Sequence, residues 1–282
     1  MKVLFAILLA FTNWYYIPSE SSVPVEVENI DLNLKTNELA ITFLSLSSGE
    51  STLIQHENGE NILINTGSSG TEIELKKLLE LYNVKNISTV ILTKDDPYFN
   101  GNLSWVLQNY DVKQLIVGES TSNHLKRKKE IFDDVSVHVW SNGTKQQILP
   151  GLHTEVLFEG AQVHEGMDLS LKFLRHRLLI LTSMSDRAKA QLMEKNLSDA
   201  NIFKVPQFAI ENSLSHEMIK HMDPQIAVIF SGDNIKPSSD IFELLHDEWI
   251  DLYYTKKHGT ITIKFTDINY EVITISHGEE FK

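Results

Sequence analysis

The order of the apolar segments is the feature that most constrains the fold of this 282-residue chain. After Glu38 come three segments with strand-like patterns, "LAITFLSL", "STLIQH" and "NILINTG", and the pair Asn58-Gly59 between two of them is typical of a hairpin. A helical segment, "TEIELKKLLELY", follows, and strands then alternate with helices. A second set of short strands lies between Val135 and Leu181, again followed by alternating helices and strands. Two such halves predict two sheets packed face to face and covered by helices, a four-layer αββα sandwich.

The sequence predicts one folded domain, residues 38–282, because single α/β domains commonly reach about 200–250 residues. Residues 21–37 are rich in Ser, Glu and Asn and show no strong periodicity. That composition is typical of a linker.

Residues 1–20 have the pattern of a signal peptide or an N-terminal membrane anchor. Lys2 precedes an apolar run from Val3 to Phe11, which is shorter than the about 20 residues that span a bilayer. The aromatic cluster "WYY" suits an uncleaved anchor at a membrane interface, whereas the serines after it offer a place for cleavage. A buried N-terminal strand is the remaining alternative. We expect an exported protein, extracellular or at the cell surface, which stays membrane-anchored if the signal is uncleaved.

Charge and composition narrow the possible partners. The formal net charge is −13, and a phosphate backbone is normally bound by a basic face, so a nucleic-acid partner is disfavoured. The basic run "HLKRKK", His124 to Lys129, fits the solvated side of an amphipathic helix. The chain has no cysteine, which excludes disulfides, thiolate metal sites and cysteine nucleophiles. The remaining partner classes are an unidentified protein or cell-envelope component.

Seven short segments then follow one another in an order that matches a known family. They are "FLSLSSGES", "ILINTG", "TKDDPYFNGN", "ILTSM", "FKVPQFAI", "PQIAVIFSGDNIKP" and "YYTKKHGTI". In this order they resemble the motifs of the metallo-β-lactamase fold, and specifically those of the hydrolase-like domain of ComEC-type competence proteins. The resemblance runs from about Ile41 to Phe265. It implies an α/β fold, a four-layer αββα sandwich of the metallo-β-lactamase type.

The resemblance also implies where a metal centre would lie, and the residues at those positions differ from the family's. The family holds two divalent ions with histidines and aspartates around a bridging hydroxide. The family's ligand positions hold Lys94, Asp96, Tyr98, Phe99, Met184, Gln207, Phe208 and Lys236 here. Two further family aspartates, which help hold the metal loop, are replaced by Ser45 and Asn65. We therefore expect no metal and no other cofactor.

The segment "TKDDPYFNGN" is interpreted as the former metal loop, refilled with other side chains. In this interpretation Tyr98 and Phe99 plug the cleft and Asp95 or Asp96 pairs with Lys94. Two alternatives stay open. The segment is a plain surface loop of an unrelated α/β protein, or the cleft persists and binds a ligand, with Lys94, Asp96, Gln207 and Lys236 as its polar lining.

A second group of residues offers a different metal site. The segment "VHEGMD" places His164, Glu165 and Asp168 on one loop, but a single loop rarely makes a closed metal site. No Gly-x-Ser-x-Gly elbow and no P-loop occurs in the sequence.

Two classes of function follow. The first is a non-catalytic member of the superfamily, a pseudoenzyme that acts as a binding or scaffold module at the cell surface. The second is a metal-dependent hydrolase with a displaced or rearranged active site that uses Asp95, Asp96 and His164, with phosphodiesters as candidate substrates. The first predicts a metal-free protein with a filled cleft, and the second predicts bound metal and carboxylates that converge.

Overall fold

The structure is a computed structural model that describes residues 29–125 and 134–276, and of His124 only the backbone. The predicted signal peptide or anchor, the linker residues before Asn29 and the basic residues from Lys126 to Lys129 lie outside the described residues. No helix in the described ranges is long and apolar enough to cross a membrane.

Alternating and buried apolar segments form the strands of the first sheet. Its strands are β1 (Leu39–Phe43), β2 (Thr52–His56), β3 (Asn61–Ile64), β4 (Thr89–Leu92), β5 (Gln114–Gly118), β6 (Ser136–Trp140), β14 (Thr260–Phe265) and β15 (Tyr270–Ile275). Their order is β15-β14-β1-β2-β3-β4-β5-β6. The first three strands pair antiparallel, as the sequence predicts, and β3 to β6 run parallel.

The second sheet is built from the second set of strands. Its strands are β7 (Lys145–Leu149), β8 (Leu152–Glu159), β9 (Met167–Phe173), β10 (His176–Ile180), β11 (Ile202–Lys204), β12 (Ile226–Ile229) and β13 (Asp251–Tyr254). Their order is β13-β12-β11-β10-β9-β8-β7, and β10 to β13 are parallel.

Helices cover the outer faces of both sheets. On the first sheet they are α1 (Glu72–Leu81), α3 (Leu103–Asn109) and α4 (Glu119–Leu125), and on the second α5 (Asp186–Met193), α6 (His216–Met222) and α7 (Ser239–Asp247). Two four-residue helices, α2 (Pro97–Asn100) and α8 (Thr255–His258), and a turn at Pro206–Ala209 lie in the connections between elements. The helix predicted around His124 to Phe132 begins earlier, at Glu119, and its later part lies outside the described residues.

Three apolar clusters divide the core into layers. One lies between the sheets and contains Phe43, Phe99 and Phe230. The other two lie between each sheet and its helices, around Leu78 and Leu192. Burial of these faces is the main favourable contribution to folding. The predicted αββα sandwich is confirmed.

The part of the predicted linker that the structure describes lies against the body of the domain. The amide of Ile30 donates to the carbonyl of Leu81, and Lys264 Nζ donates to the carbonyl of Leu32 at 3.1 Å. The folded domain therefore includes the chain from Ile30 onward, before β1.

Candidate functional site

The predicted metal loop begins where β4 ends, and its own side chains shape it. The Asp96 carboxylate accepts the amide of Tyr98 at 3.0 Å and so caps α2, with Pro97 in the first turn. Asp95 accepts a hydrogen bond from the Asn100 side chain at 2.9 Å. A short helix thus occupies the loop.

Neighbouring loops hold this segment tightly. Asn65, at φ 61°, accepts the amide of Thr93 at 2.9 Å with its side-chain oxygen, so a neutral amide anchors the loop where the family has an aspartate. Gly49, at φ 92°, lets the chains approach closely: a Cβ there would lie 2.5 Å from the Tyr98 carbonyl oxygen. The loop is therefore fixed from two sides.

Aromatic rings fill the interior beneath the loop. Phe99 is 1% exposed, and its ring centroid lies 6.0 Å from that of Phe208. Tyr98 also packs on Phe208, at 5.4 Å. The turn Pro206–Ala209 brings Phe208 here by holding Gln207 and Phe208 at φ 50° and 57°, a conformation that is rare for residues other than glycine. The side-chain amide of Gln207 donates a hydrogen bond from Nε2 to the Thr182 carbonyl oxygen at 2.6 Å.

A buried ion pair lies beside these rings. Lys204 Nζ is 2.7 Å from Glu50 Oε2 and 2.8 Å from Oε1, and both side chains are 1% exposed. Lys204 ends β11, and Glu50 lies on the loop before β2. Burial raises the pKa of the Glu50 carboxyl, although the Lys204 ammonium opposes the rise.

A second cation lies at the rim. Lys94 Nζ is 3.8 Å from Asp96 Oδ2 and 5.7 Å from the Phe99 ring centroid. Lys204 Nζ lies 5.9 Å from the same centroid. Burial lowers the pKa of the Lys94 ammonium, and the carboxylates of Asp96 and Glu50 partly offset this. Phe99 is thus flanked by two amines.

Two residues of the predicted set lie apart from this cluster. Met184 is half-buried and donates its amide to the His164 carbonyl at 2.9 Å. Lys236 is exposed, and within the described part of the chain it forms no ion pair. A cleft of about 300 Å³ opens beside the loop and is lined by Lys94, Asp95 and Asp96, but not by Gln207 or Lys236.

The segment "VHEGMD" does not bring its side chains together. His164 is exposed, whereas Glu165 is buried and bound by Arg187 Nη2 at 2.6 Å. Asp168 is fully buried, accepts the amides of Thr182 and Ser183, and has its pKa raised to about 7 by burial. Each carboxylate already has its own partners.

The residues at the family's ligand positions do not fit a pair of divalent ions. Such ions need neutral imidazoles and carboxylates that converge. The cluster offers two amines, three aromatic rings, the nitrogen-donating side-chain amide of Gln207 and the carboxylates of Asp96 and Glu50, each of which faces a lysine. In the described ranges no group of three or more His, Cys, Asp or Glu is placed to hold a metal.

Sequence reasoning missed the Glu50–Lys204 pair, although both residues lie in the quoted motifs. Lys204 is the only charge in the apolar segment "NIFKVP". A charge within a buried strand is almost always paired, so this lysine signalled a buried partner. The sequence did not identify that partner, because Glu50 is 154 residues away.

The comparison with solved structures agrees with this fold. No protein-family model and no curated protein matches the chain. Among solved structures it is similar to the metallo-β-lactamase fold protein YhfI from Bacillus subtilis, with 12% identity, a TM-score of 0.56, and coverage of 80% of this chain and 99% of that one.

Two other structures are similar to the same degree. One is a diphosphatase from the PhnP family, with 14% identity, a TM-score of 0.56, and coverage of 81% and 97%. The other is Zn²⁺-bound PqqB from Methylobacterium extorquens, with 10% identity, a TM-score of 0.55, and coverage of 77% and 97%. With its two sheets, its helix layers and these likenesses, the chain has the metallo-β-lactamase fold.

Proposed function

We propose that this chain is an exported, non-catalytic member of the metallo-β-lactamase superfamily, a pseudoenzyme that acts as a binding or scaffold module at the cell surface. Its ancestry in this proposal is the hydrolase-like domain of ComEC-type proteins, because the seven motifs follow the order of that family. Its partner is a protein or another cell-envelope component, since the net charge of −13 disfavours nucleic acid.

One observation carries the proposal: Phe99 and its two flanking amines occupy the centre of the refilled site. The nitrogens of Lys94 and Lys204 lie 5.7 and 5.9 Å from its ring centroid. A divalent cation here would lie beside two lysines, and the nearby carboxylates of Asp96 and Glu50 already face those lysines, so metal binding would have to break these pairs. In this proposal the buried ring of Phe99, packed on Phe208, takes the place of the water that the family's mechanism uses as nucleophile.

The wider arrangement supports a structural use of these residues. Asp96 caps a helix, Asn65 anchors the loop, and Glu50 neutralises Lys204. Asp96, Asn65 and the Glu50–Lys204 pair thus already have partners inside the protein. A module of this kind works through its surface, and the apolar N-terminal run would place it at the membrane.

A hydrolysis assay tests the proposal against the alternative of a rearranged enzyme. We expect the purified chain to hydrolyse neither bis(p-nitrophenyl) phosphate nor a diphosphate ester in zinc or manganese, beyond the rate of the metal alone. These substrates are chosen because a structurally similar protein is a diphosphatase.

Asp96→Asn is the matched variant for that assay. Asparagine caps helices about as well as aspartate, so the loop keeps its fold while it loses the carboxylate that the rearranged enzyme would need as a metal ligand. Equal background rates for both proteins support the proposal. A metal-dependent rate that disappears in Asp96→Asn would instead establish the displaced-site hydrolase.

A further inference from the structure

The edge of the sandwich opposite the refilled site carries three exposed apolar side chains on three turns. Trp249 is 93% exposed and precedes β13, Ile268 is 60% exposed between β14 and β15, and Leu174 is 42% exposed between β9 and β10. We call this the apolar edge. Single exposed apolar residues are ordinary, but three at one edge call for an explanation.

Strand pairing and turn contacts place these residues together. The parallel register aligns Leu178 with Ile202, Ile202 with Ile226, and Ile226 with Asp251, so the starts of β10 and β13 share an edge. A ring nitrogen of His176 lies 3.0 Å from the Thr266 carbonyl oxygen, which joins the β14–β15 turn to the same edge. One cleft is lined by both Arg175 and Ile268.

Trp249 occupies a position where folding favours a different residue. The amide of Ile250 donates to the Leu245 carbonyl and that of Trp249 to the His246 carbonyl, which is a Schellman motif after α7. Trp249 is its left-handed residue, at φ 59°, where glycine is usual. Its ring is exposed, so neither backbone geometry nor core packing accounts for a tryptophan here.

The N-terminal chain enters the domain at this edge. The first described contact is the bond from the Ile30 amide to the carbonyl of Leu81, the last residue of α1, and Lys264 near the β14–β15 turn binds the Leu32 carbonyl. The chain from Tyr16 to Asn29 extends to about 45 Å at most. A membrane-inserted segment 1–16 would therefore keep the apolar edge near the bilayer.

We propose that the apolar edge docks on the lipid surface, with Trp249 and Ile268 entering the membrane interface. This inference rests on the proposed retention of the N-terminal anchor. Tryptophan is enriched at membrane–water interfaces, and Arg175 on the neighbouring turn can keep its charge at the level of the lipid headgroups. The acidic chain fits a neutral lipid surface better than an anionic one.

The test is fluorescence quenching of the full chain, synthesised in the presence of phosphatidylcholine vesicles whose acyl chains are brominated. The chain has four tryptophans, so single substitutions separate their signals. The quenched fluorescence that is lost in Trp249→Gly belongs to Trp249. The quenched fluorescence that is lost in Trp14→Phe belongs to the N-terminal segment. We expect the brominated acyl chains to quench both Trp249 and Trp14. Trp249→Gly should also raise the midpoint of unfolding, because glycine suits the left-handed position. A higher midpoint would show that the loss of quenching in this variant is not caused by misfolding.

Matched serine variants locate the contact. Ile268→Ser should reduce the quenching of Trp249, whereas Val163→Ser, at an 80% exposed residue that lines the cleft beside Lys94 and Asp96, should leave it unchanged. Quenching of Trp14 without quenching of Trp249 would overturn the docking but not the anchor. If the chain does not associate with the vesicles, both the docking and the membrane location are wrong.

Discussion

Replacing Lys204 by methionine is expected to lower the free energy of unfolding by about 3–5 kcal/mol at pH 7, the range for breaking one side of a buried ion pair. The substitution preserves the length of the side chain but leaves the Glu50 carboxylate without its ammonium partner at 1% exposure. Urea unfolding at several pH values measures the effect.

The pH dependence identifies the cause. Burial raises the pKa of Glu50 and Lys204 opposes the rise, so the variant's carboxyl titrates at still higher pH. A carboxyl whose folded pKa lies above its unfolded pKa binds protons preferentially in the folded state. The variant's deficit should therefore shrink as the pH falls from 7 to 5 and the stranded carboxyl is protonated.

Two further variants serve as controls. Lys189→Met breaks an ion pair of the same length, 2.7 Å to Glu217, at a more exposed position, and should lower the free energy of unfolding far less than Lys204→Met does. The double substitution Glu50→Leu/Lys204→Met should recover most of the free energy of unfolding that Lys204→Met loses, because an apolar pair can often replace a buried ion pair without lowering stability. A loss in Lys204→Met no larger than in Lys189→Met would contradict this assignment.

Truncating Phe99 to alanine is expected to lower the free energy of unfolding by about 3–5 kcal/mol, as large-to-small substitutions of core aromatics do. The ring is 1% exposed, packs on Phe208 and lies beside the ammonium groups of Lys94 and Lys204. Its removal takes away apolar packing and the cation–π contacts together.

Thermal and urea unfolding of Phe99→Ala and Phe99→Leu check this expectation. Leucine keeps most of the apolar volume, so Phe99→Leu should lower the free energy of unfolding less than Phe99→Ala does. Ile73→Ala, at a 69% exposed residue of α1, should change stability by no more than about 0.5 kcal/mol. If the segment were a surface loop with no role in the core, Phe99→Ala would change the free energy of unfolding as little as Ile73→Ala does.

The fold was predictable because its information is local and repeated. Period-two segments such as "LAITF" at β1 and the helical spacing of α1 each determine an element, and two similar halves imply two sheets. The bounds of α4 were less predictable, because the basic run after Leu125 suggested a later helix while the structure starts it at Glu119.

The site was only partly predictable, because its partners are distant in sequence. The contrast of Lys94 and Phe99 with the family's histidines suggested a refilled loop. The pairing of Lys204 with Glu50 depends on β11 and the loop before β2 meeting in space. The left-handed backbone at Gln207 and Phe208 had no signal either, since no glycine marks that turn.

The most direct test of the central claim is the metal content of chain produced without a histidine tag or a chelator. Elemental mass spectrometry after incubation with zinc or manganese, followed by desalting, gives the number of ions retained per chain. We predict much less than one equivalent, the same as for Asp96→Asn. One or two equivalents retained by the unmodified chain and lost in Asp96→Asn would contradict the refilled site.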